Sequence, residues 1–135
     1  MSDMLVNIDV NDLGAAERFY CAAFALRPAR RFGADAVELS GGSSRLYLLA
    51  KQEGTPAFPG AQLARSYARH WTPVHFDFVV DNLEQAVEQS IAAAATQETA
   101  IRDNVWGRIA LMADPFGHGY CLLEFGAAGY DAITS

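Results

Sequence analysis

The sequence predicts an α+β chain made of two βαβββ modules in tandem. Three observations carry this. Residues 104–125, NVWGRIALMADPFGHGYCLLEF, read as strand, tight turn, strand. The order strand, Asx cap, helix, short strand, hairpin occurs twice along the chain. A shift of seventy residues lays Leu5 over His75, Asn7 over Asp77, Val10 over Val80, Asn11 over Asp81, Leu13 over Leu83 and Ala16 over Ala86. Allowing for a longer second turn, Tyr47 lies over Cys121.

The first strand is read over residues 4–10, MLVNIDV. Met4, Val6, Ile8 and Val10 share one uniformly apolar face, the core candidate. Leu5, Asn7 and Asp9 share the other, which suits solvent or a polar cavity. Asn11 or Asp12 then offers a helix N-cap. Leu13, Ala16, Phe19, Tyr20, Ala23 and Phe24 recur at helical spacing, predicting an amphipathic helix to about Ala25, ended by Pro28. Its aromatic side chains read as core packing rather than a ligand platform. Residues 29–32 and 36–40 (AVELS) are short strands, 41–44 a turn, and 45–50 (RLYLLA) the return strand. The turn glycines read as a hairpin rather than a phosphate cradle, because no helix follows and no Lys sits at the required spacing.

Residues 51–73 are a long connection containing Gly54, Pro56, Pro59, Gly60 and Pro73, with a short helix over 61–70. Connections this long in compact domains are usually functional or mobile, and a lid is one such role. Arg65, Arg69, His70 and Trp71 either approach a cavity mouth or belong to a solvated linker with one packed Trp. The pattern then restarts. Residues 74–80, VHFDFVV, place His75, Asp77 and Val79 on one strand face and Phe76, Phe78 and Val80 on the other. Asp81 caps a second helix, with Glu84 completing a capping box. Leu83, Ala86, Val87, Ile91 and Ala94 form its apolar stripe to about Ala95, and residues 99–102 form a short strand. The final hairpin pairs 108–112 with 120–125 around Asp114, Pro115, Gly117 and Gly119, residues that favour turns through side-chain bonding, fixed φ and freedom of φ. The boundaries are thus about 4–50 for the first module, 51–73 for the linker, about 74–125 for the second module and 126–135 for the tail.

A chain of 135 residues reads as one domain large enough for a sizeable core. Hydrophobic residues make up 51% and charged residues 19%, a globular composition rather than a disordered one. Ten Lys and Arg against sixteen Asp and Glu give a net charge of −6, which argues against binding nucleic acid through its phosphates. Asp3 and Asn7 interrupt the N-terminus before a signal-peptide core forms, and no apolar run reaches membrane-span length. A cytoplasmic protein without membrane attachment is expected. Cys21 and Cys121 share no motif spacing and read as free thiols.

The run WGR, apolar strand, DPFG-x-G, apolar strand resembles the last hairpin of the vicinal oxygen chelate superfamily, which holds glyoxalase I, bleomycin-resistance proteins and extradiol dioxygenases. The superfamily's usual turn motif is DP-x-G-N, and His118 stands here where Asn is commoner. Two βαβββ units in a chain of this length extend the resemblance to everything but the linker and tail. It implies modules whose sheets curl around a shared cavity, and a homodimer.

Metal-dependent members place a His on the first strand of a module and a Glu on its last. His75 occupies the first position in the second module, whereas Leu5 in the first module has no donor. The Glu position, seven residues after the Asp of the turn motif, holds Cys121, with Tyr47 as its first-module counterpart. Glu124 lies three residues further along the strand, on the opposite face. The ligand set reduces to His75, with Cys121, Tyr47, Asp77 and Asn7 as weak partners. No cofactor is therefore expected.

The resemblance with these departures implies a metal-free protein that binds a small organic molecule. Its cavity is expected to be lined by Asn7, Tyr47, His75, Asp77, Trp106, Arg108 and Cys121. Trp106 is read as a stacking surface or an edge-packing aromatic, and Arg108 as an anion partner or a solvated charge. The alternative is a metal-dependent glyoxalase-type lyase or isomerase, or an extradiol-type dioxygenase, holding a divalent ion through His75. Expected partners are the organic ligand and a second copy of the chain, with neither nucleic acid nor membrane.

Overall fold

A computed structural model describes residues 2–135. They form two compact units that divide between Ala68 and Arg69, inside the long connection. Each is α+β with one mixed sheet, as the repeat in the sequence predicts.

The first unit runs β1 (Val6–Val10), α1 (Leu13–Phe24), β2 (Arg27–Phe32), β3 (Ala36–Ser40) and β4 (Leu46–Ala50). The strand order is β1-β4-β3-β2, with β1 parallel to β4 and the other pairs antiparallel. A parallel neighbour needs a crossover, and α1 begins it. Ile8, Val10, Val37, Leu39, Leu46 and Leu48 are buried on one sheet face, and Ala16, Phe19, Tyr20 and Ala23 of α1 are buried with them. Edge-on rings, Phe19 against Tyr20 at 4.9 Å, fill the helix side.

The helix starts where Asp12 accepts a hydrogen bond from the Ala15 N–H at 3.0 Å. It stops at Ala25, which takes the left-handed conformation at φ 54°. Pro28 is thus not the terminator; it lies inside β2, an exposed edge strand where a missing N–H is tolerated.

The second unit runs β5 (Phe76–Val79), α2 (Leu83–Ala92), β6 (Thr96–Gln97), β7 (Arg102–Asn104), β8 (Gly107–Ala113) and β9 (Gly119–Phe125), followed by a short 3₁₀ turn at Gly129–Ile133. The order is β5-β9-β8-β6, with β7 also on β8; β5 is parallel to β9. Leu83, Val87, Ala110, Met112, Tyr120 and Leu122 build its core. The Arg108 guanidinium ties α2 to the sheet, because it pairs with both Glu84 and Glu124.

Four local expectations are corrected. Asn82, not Asp81, caps α2, accepting from the Gln85 N–H at 3.0 Å, and Glu84 is drawn away to Arg108. Ser90 is buried on α2 where Ile91 is 47% exposed, and the helix ends at Ala92, so Ala94 does not extend the stripe. Of the strand read over 99–102 only Arg102 is in a strand, the start of β7; β6 ends at Gln97, and the Glu98 and Thr99 N–H groups both reach the Leu111 carbonyl in between. Residues 61–70 form no helix. The Arg65 N–H bonds the Thr55 carbonyl and the Gly54 N–H the Arg65 carbonyl, so the segment folds back on 54–56. Among the described residues, no helix is long and apolar enough to cross a membrane.

Candidate functional site

In the second unit, β5 and β9 run side by side with Asp77 directly opposite Cys121. Paired residues on neighbouring strands point to the same face, and His75 lies two residues before Asp77. Donor atoms of His75, Asp77 and Cys121 consequently lie within 4.8 Å of one another. His75 Nε2 is 3.3 Å from Asp77 Oδ1. Cys121 is buried, while the side chains of His75 and Asp77 are 54% and 39% exposed. Burial pushes the Cys121 thiol up to about 11; the Asp77 charge and its hydrogen bond with the thiol add to this, and Arg102 opposes it.

His75 and Cys121 border a cleft of about 550 Å³ lined also by Arg69, His70, Trp71, Thr72, Glu98, Leu111 and Gly119. Arg69 packs across Gly119, where a Cβ would meet its guanidinium. It also bonds Glu98 through Nε at 2.9 Å and Nη2 at 3.0 Å, which neutralises much of its charge. Trp71 is 81% exposed, so its indole presents an open face instead of the packed linker Trp weighed above.

Asn7 and Tyr47 lie in the first unit, where they are also directly paired, on β1 and β4. This reproduces the Asp77–Cys121 pairing of the second unit and confirms the overlay of Tyr47 on Cys121. Glu38, opposite Tyr47 on β3, joins the same face. Its buried carboxylate accepts from the Tyr47 hydroxyl at 2.6 Å and from Arg30 Nη2 at 2.7 Å. The hydrogen bonds from Arg30, then Tyr47, hold the Glu38 carboxyl at about 2.

Two residues expected in a cavity lining are placed elsewhere. Trp106 packs against Tyr130 at 5.4 Å and Phe125 at 6.1 Å, and Arg108 is engaged by Glu84 and Glu124. Glu124 faces away from Cys121, as the strand alternation requires. His118 belongs to the hairpin turn: Asp114 Oδ1 accepts from the Phe116 and His118 N–H groups, and His118 Nδ1 lies 2.8 Å from Asp114 Oδ2. Arg65 lies in the first unit and bonds Asp9 at 2.9 Å.

Glu38, Arg30, Glu98 and Leu111 escaped the sequence reading. For Glu38 a signal existed, since AVELS alternates and sets Glu38 opposite to Val37 and Leu39. Glu98 and Leu111 needed the strand register, which no local pattern carries.

Residues 5–123 match the model of a glyoxalase-like domain. An uncharacterized protein of Mycobacterium bovis is 30% identical over 121 residues, covering 84% of this chain and 76% of the relative. A glyoxalase/bleomycin resistance protein/dioxygenase family enzyme from Burkholderia phytofirmans superposes with a TM-score of 0.69 at 20% identity, over 90% of this chain and 97% of the other. A lactoylglutathione lyase from Agrobacterium tumefaciens gives 0.64 at 24% identity, over 91% and 92%. A fosfomycin resistance protein from Listeria monocytogenes gives 0.70 at 13% identity, over 94% and 95%. At these identities the structures share the fold.

Proposed function

The chain belongs to the glyoxalase-like family of the vicinal oxygen chelate superfamily, and from that premise we propose that it binds a small organic molecule in the cleft of its second unit, without a resident metal. One observation carries the reading. A cleft of ligand size brings an open indole, Trp71, to the same lining as His75 and the Cys121 thiol. Leu111, Gly119 and Cys121 offer a mostly apolar floor for a planar group, Trp71 a stacking surface, and His75 with Asp77 the polar atoms that fix its orientation. Absence of a resident metal is supported by the donor set. Cys121 stands where metal-dependent members carry Glu, and the first unit has Leu5 where they carry His.

The assembly is part of the proposal. Following the superfamily pattern, two copies form a homodimer. Sedimentation at micromolar concentration is expected to give twice the mass of one chain.

A panel of planar aromatic compounds, read by thermal shift and calorimetry, tests the reading. At least one compound should stabilise the protein with saturation. Trp71→Ala and His75→Ala should each weaken it by at least about tenfold, roughly 1.4 kcal/mol. Binding unchanged in both variants would place the ligand elsewhere.

The convergence of His75, Asp77 and Cys121 favours a second reading, a metal-dependent lyase, isomerase or dioxygenase. Three N, O and S donors suit a four-coordinate ion with one open position. The ion would supply polarisation of a substrate oxygen. Metal content of protein purified without a metal-affinity tag separates the readings: about one divalent ion per chain favours the enzyme, and none favours the metal-free binder.

A further inference from the structure

We propose that the open sheet face of the first unit holds a second binding site, for a flat organic carboxylate, centred on the unmatched edge of the Arg30 guanidinium. This site lies outside the cleft of the second unit and does not depend on the reading given to that cleft.

Two arginines of this chain are held by a glutamate on the neighbouring strand. In the second unit Arg108 gives Nε and Nη2 to Glu124, and Nη1 with Nη2 to Glu84, so both edges of its fork meet a carboxylate. In the first unit Arg30 gives Nε and Nη2 to Glu38, at 3.0 and 2.7 Å. Its other edge has no second carboxylate. Among the described residues Nη1 meets no acceptor, and the Tyr47 hydroxyl stands 3.5 Å from Nη2. The Arg30 side chain is 64% exposed, although Glu38 is buried. A planar fork is thus fixed along one edge, open to solvent along another, and lacks the partner that its counterpart has.

The surroundings favour an anion. Arg27 pairs with Ser40, two residues beyond Glu38 on β3, and Arg45 lies two residues before Tyr47. Strand alternation puts both on the face of Glu38. Both are exposed, and among the described residues neither has a carboxylate partner. Three guanidiniums therefore share this face with the Glu38 carboxylate, while Asp9, further along it, is paired with Arg65. A cationic patch on a chain of net charge −6 is a local exception that attracts small anions. Phe32 supplies the preference for a flat group. Its ring is 46% exposed, lies 5.8 Å from the Arg30 guanidinium carbon and 6.2 Å from the Tyr47 ring. A carboxylate held in the open edge of the fork can lay an attached aromatic ring against it.

The test follows the isotope-labelled full chain by two-dimensional NMR while sodium benzoate is added. Saturable shifts are expected in the backbone amides of β2, Glu38 and Tyr47, and at the Arg30 Nε–H. Benzamide, the neutral counterpart, and inorganic phosphate, which lacks the ring, should each bind at least about tenfold more weakly. Arg30→Lys keeps the charge but loses the fork, and should weaken benzoate by at least about tenfold. If Arg30→Lys does not fold, a double variant decides. Arg27→Gln with Arg45→Gln alters only exposed side chains and should weaken benzoate by about threefold or more. No saturable shift in the first unit, equal binding of benzamide or phosphate, or unchanged benzoate affinity in the folded variants overturns the proposal. Shifts at residues 69–75 report on the cleft of the second unit, so failure of either site is seen separately.

Discussion

Glu38 shows how one carboxylate can be fixed by its neighbours. It is 3% exposed, yet its charge is matched by Arg30 and its remaining lone pairs by Tyr47. Its carboxyl lies at about 2 against an ordinary 4.5, so the folded state holds the charged form more tightly than the unfolded chain. The stability this contributes is complete above about pH 4.5 and is lost as the pH falls towards 2. Denaturant titrations of Glu38→Gln should therefore show a deficit at neutral pH that narrows through that window. Gly119 makes a different demand. A Cβ there would collide with the Arg69 guanidinium, the mobile end of a flexible side chain. Gly119→Ala should cost little stability, about 1 kcal/mol or less, because Arg69 can swing out. It should nevertheless weaken ligand binding in the cleft, since Arg69 and its bond to Glu98 form part of the wall. The melting temperature and the ligand affinity of one variant thus report on different things.

The elements were legible where a single period or cap dominates. Both helices, both long hairpin strands and the first strand of each unit follow from alternation and helical spacing in the sequence. What was not legible turned on competition between partners. Glu84 stands three residues after Asp81, but the cap is Asn82, and the Glu84 carboxylate is held by the Arg108 guanidinium instead. Residues 61–70 have helical composition, but Arg65 is bound to Asp9, Thr55 and the Pro56 carbonyl. The helix ends carry a further consequence. Each helix is followed by an alanine with positive φ, Ala25 at 54° and Ala94 at 96°. A Cβ in the left-handed region is strained, and glycine relieves it at some entropic cost. Ala25→Gly and Ala94→Gly are each expected to stabilise the protein by about 0.5 kcal/mol, measured by denaturant midpoint. Gly107 behaves oppositely. Its φ is 150°, and a Cβ would press on the Glu124 carbonyl and lie 2.9 Å from the Phe125 Cα. Backbone cannot swing aside, so Gly107→Ala should cost about 3 kcal/mol.

Across the whole chain, one topology has been written twice and furnished differently. Asn7, Tyr47 and Glu38 occupy in the first sheet the positions that Asp77, Cys121 and Leu111 occupy in the second. The overlay of halves made the first two pairs visible from residue order alone. The choice among site candidates was not visible, because it depends on what each side chain meets. From the sequence Trp106 reads as a lining residue and Trp71 as a residue at a cavity mouth or packed in the linker, and the packing of Phe125 and Tyr130 on Trp106 with the exposure of Trp71 exchanges their roles. Arg108 looked like an anion partner until its two carboxylates were found.

That contrast between the two tryptophans makes the protein its own optical probe. Trp71 is solvated at the cleft, while Trp106 is half-buried among aromatic rings. Emission from Trp71 should lie to the red and be open to quenching by iodide, whereas Trp106 should emit further to the blue and resist it. In Trp106→Phe the remaining signal comes from the cleft alone. A molecule that settles against Trp71 would shift that emission or protect it from the quencher, so occupancy can be followed in real time without a label.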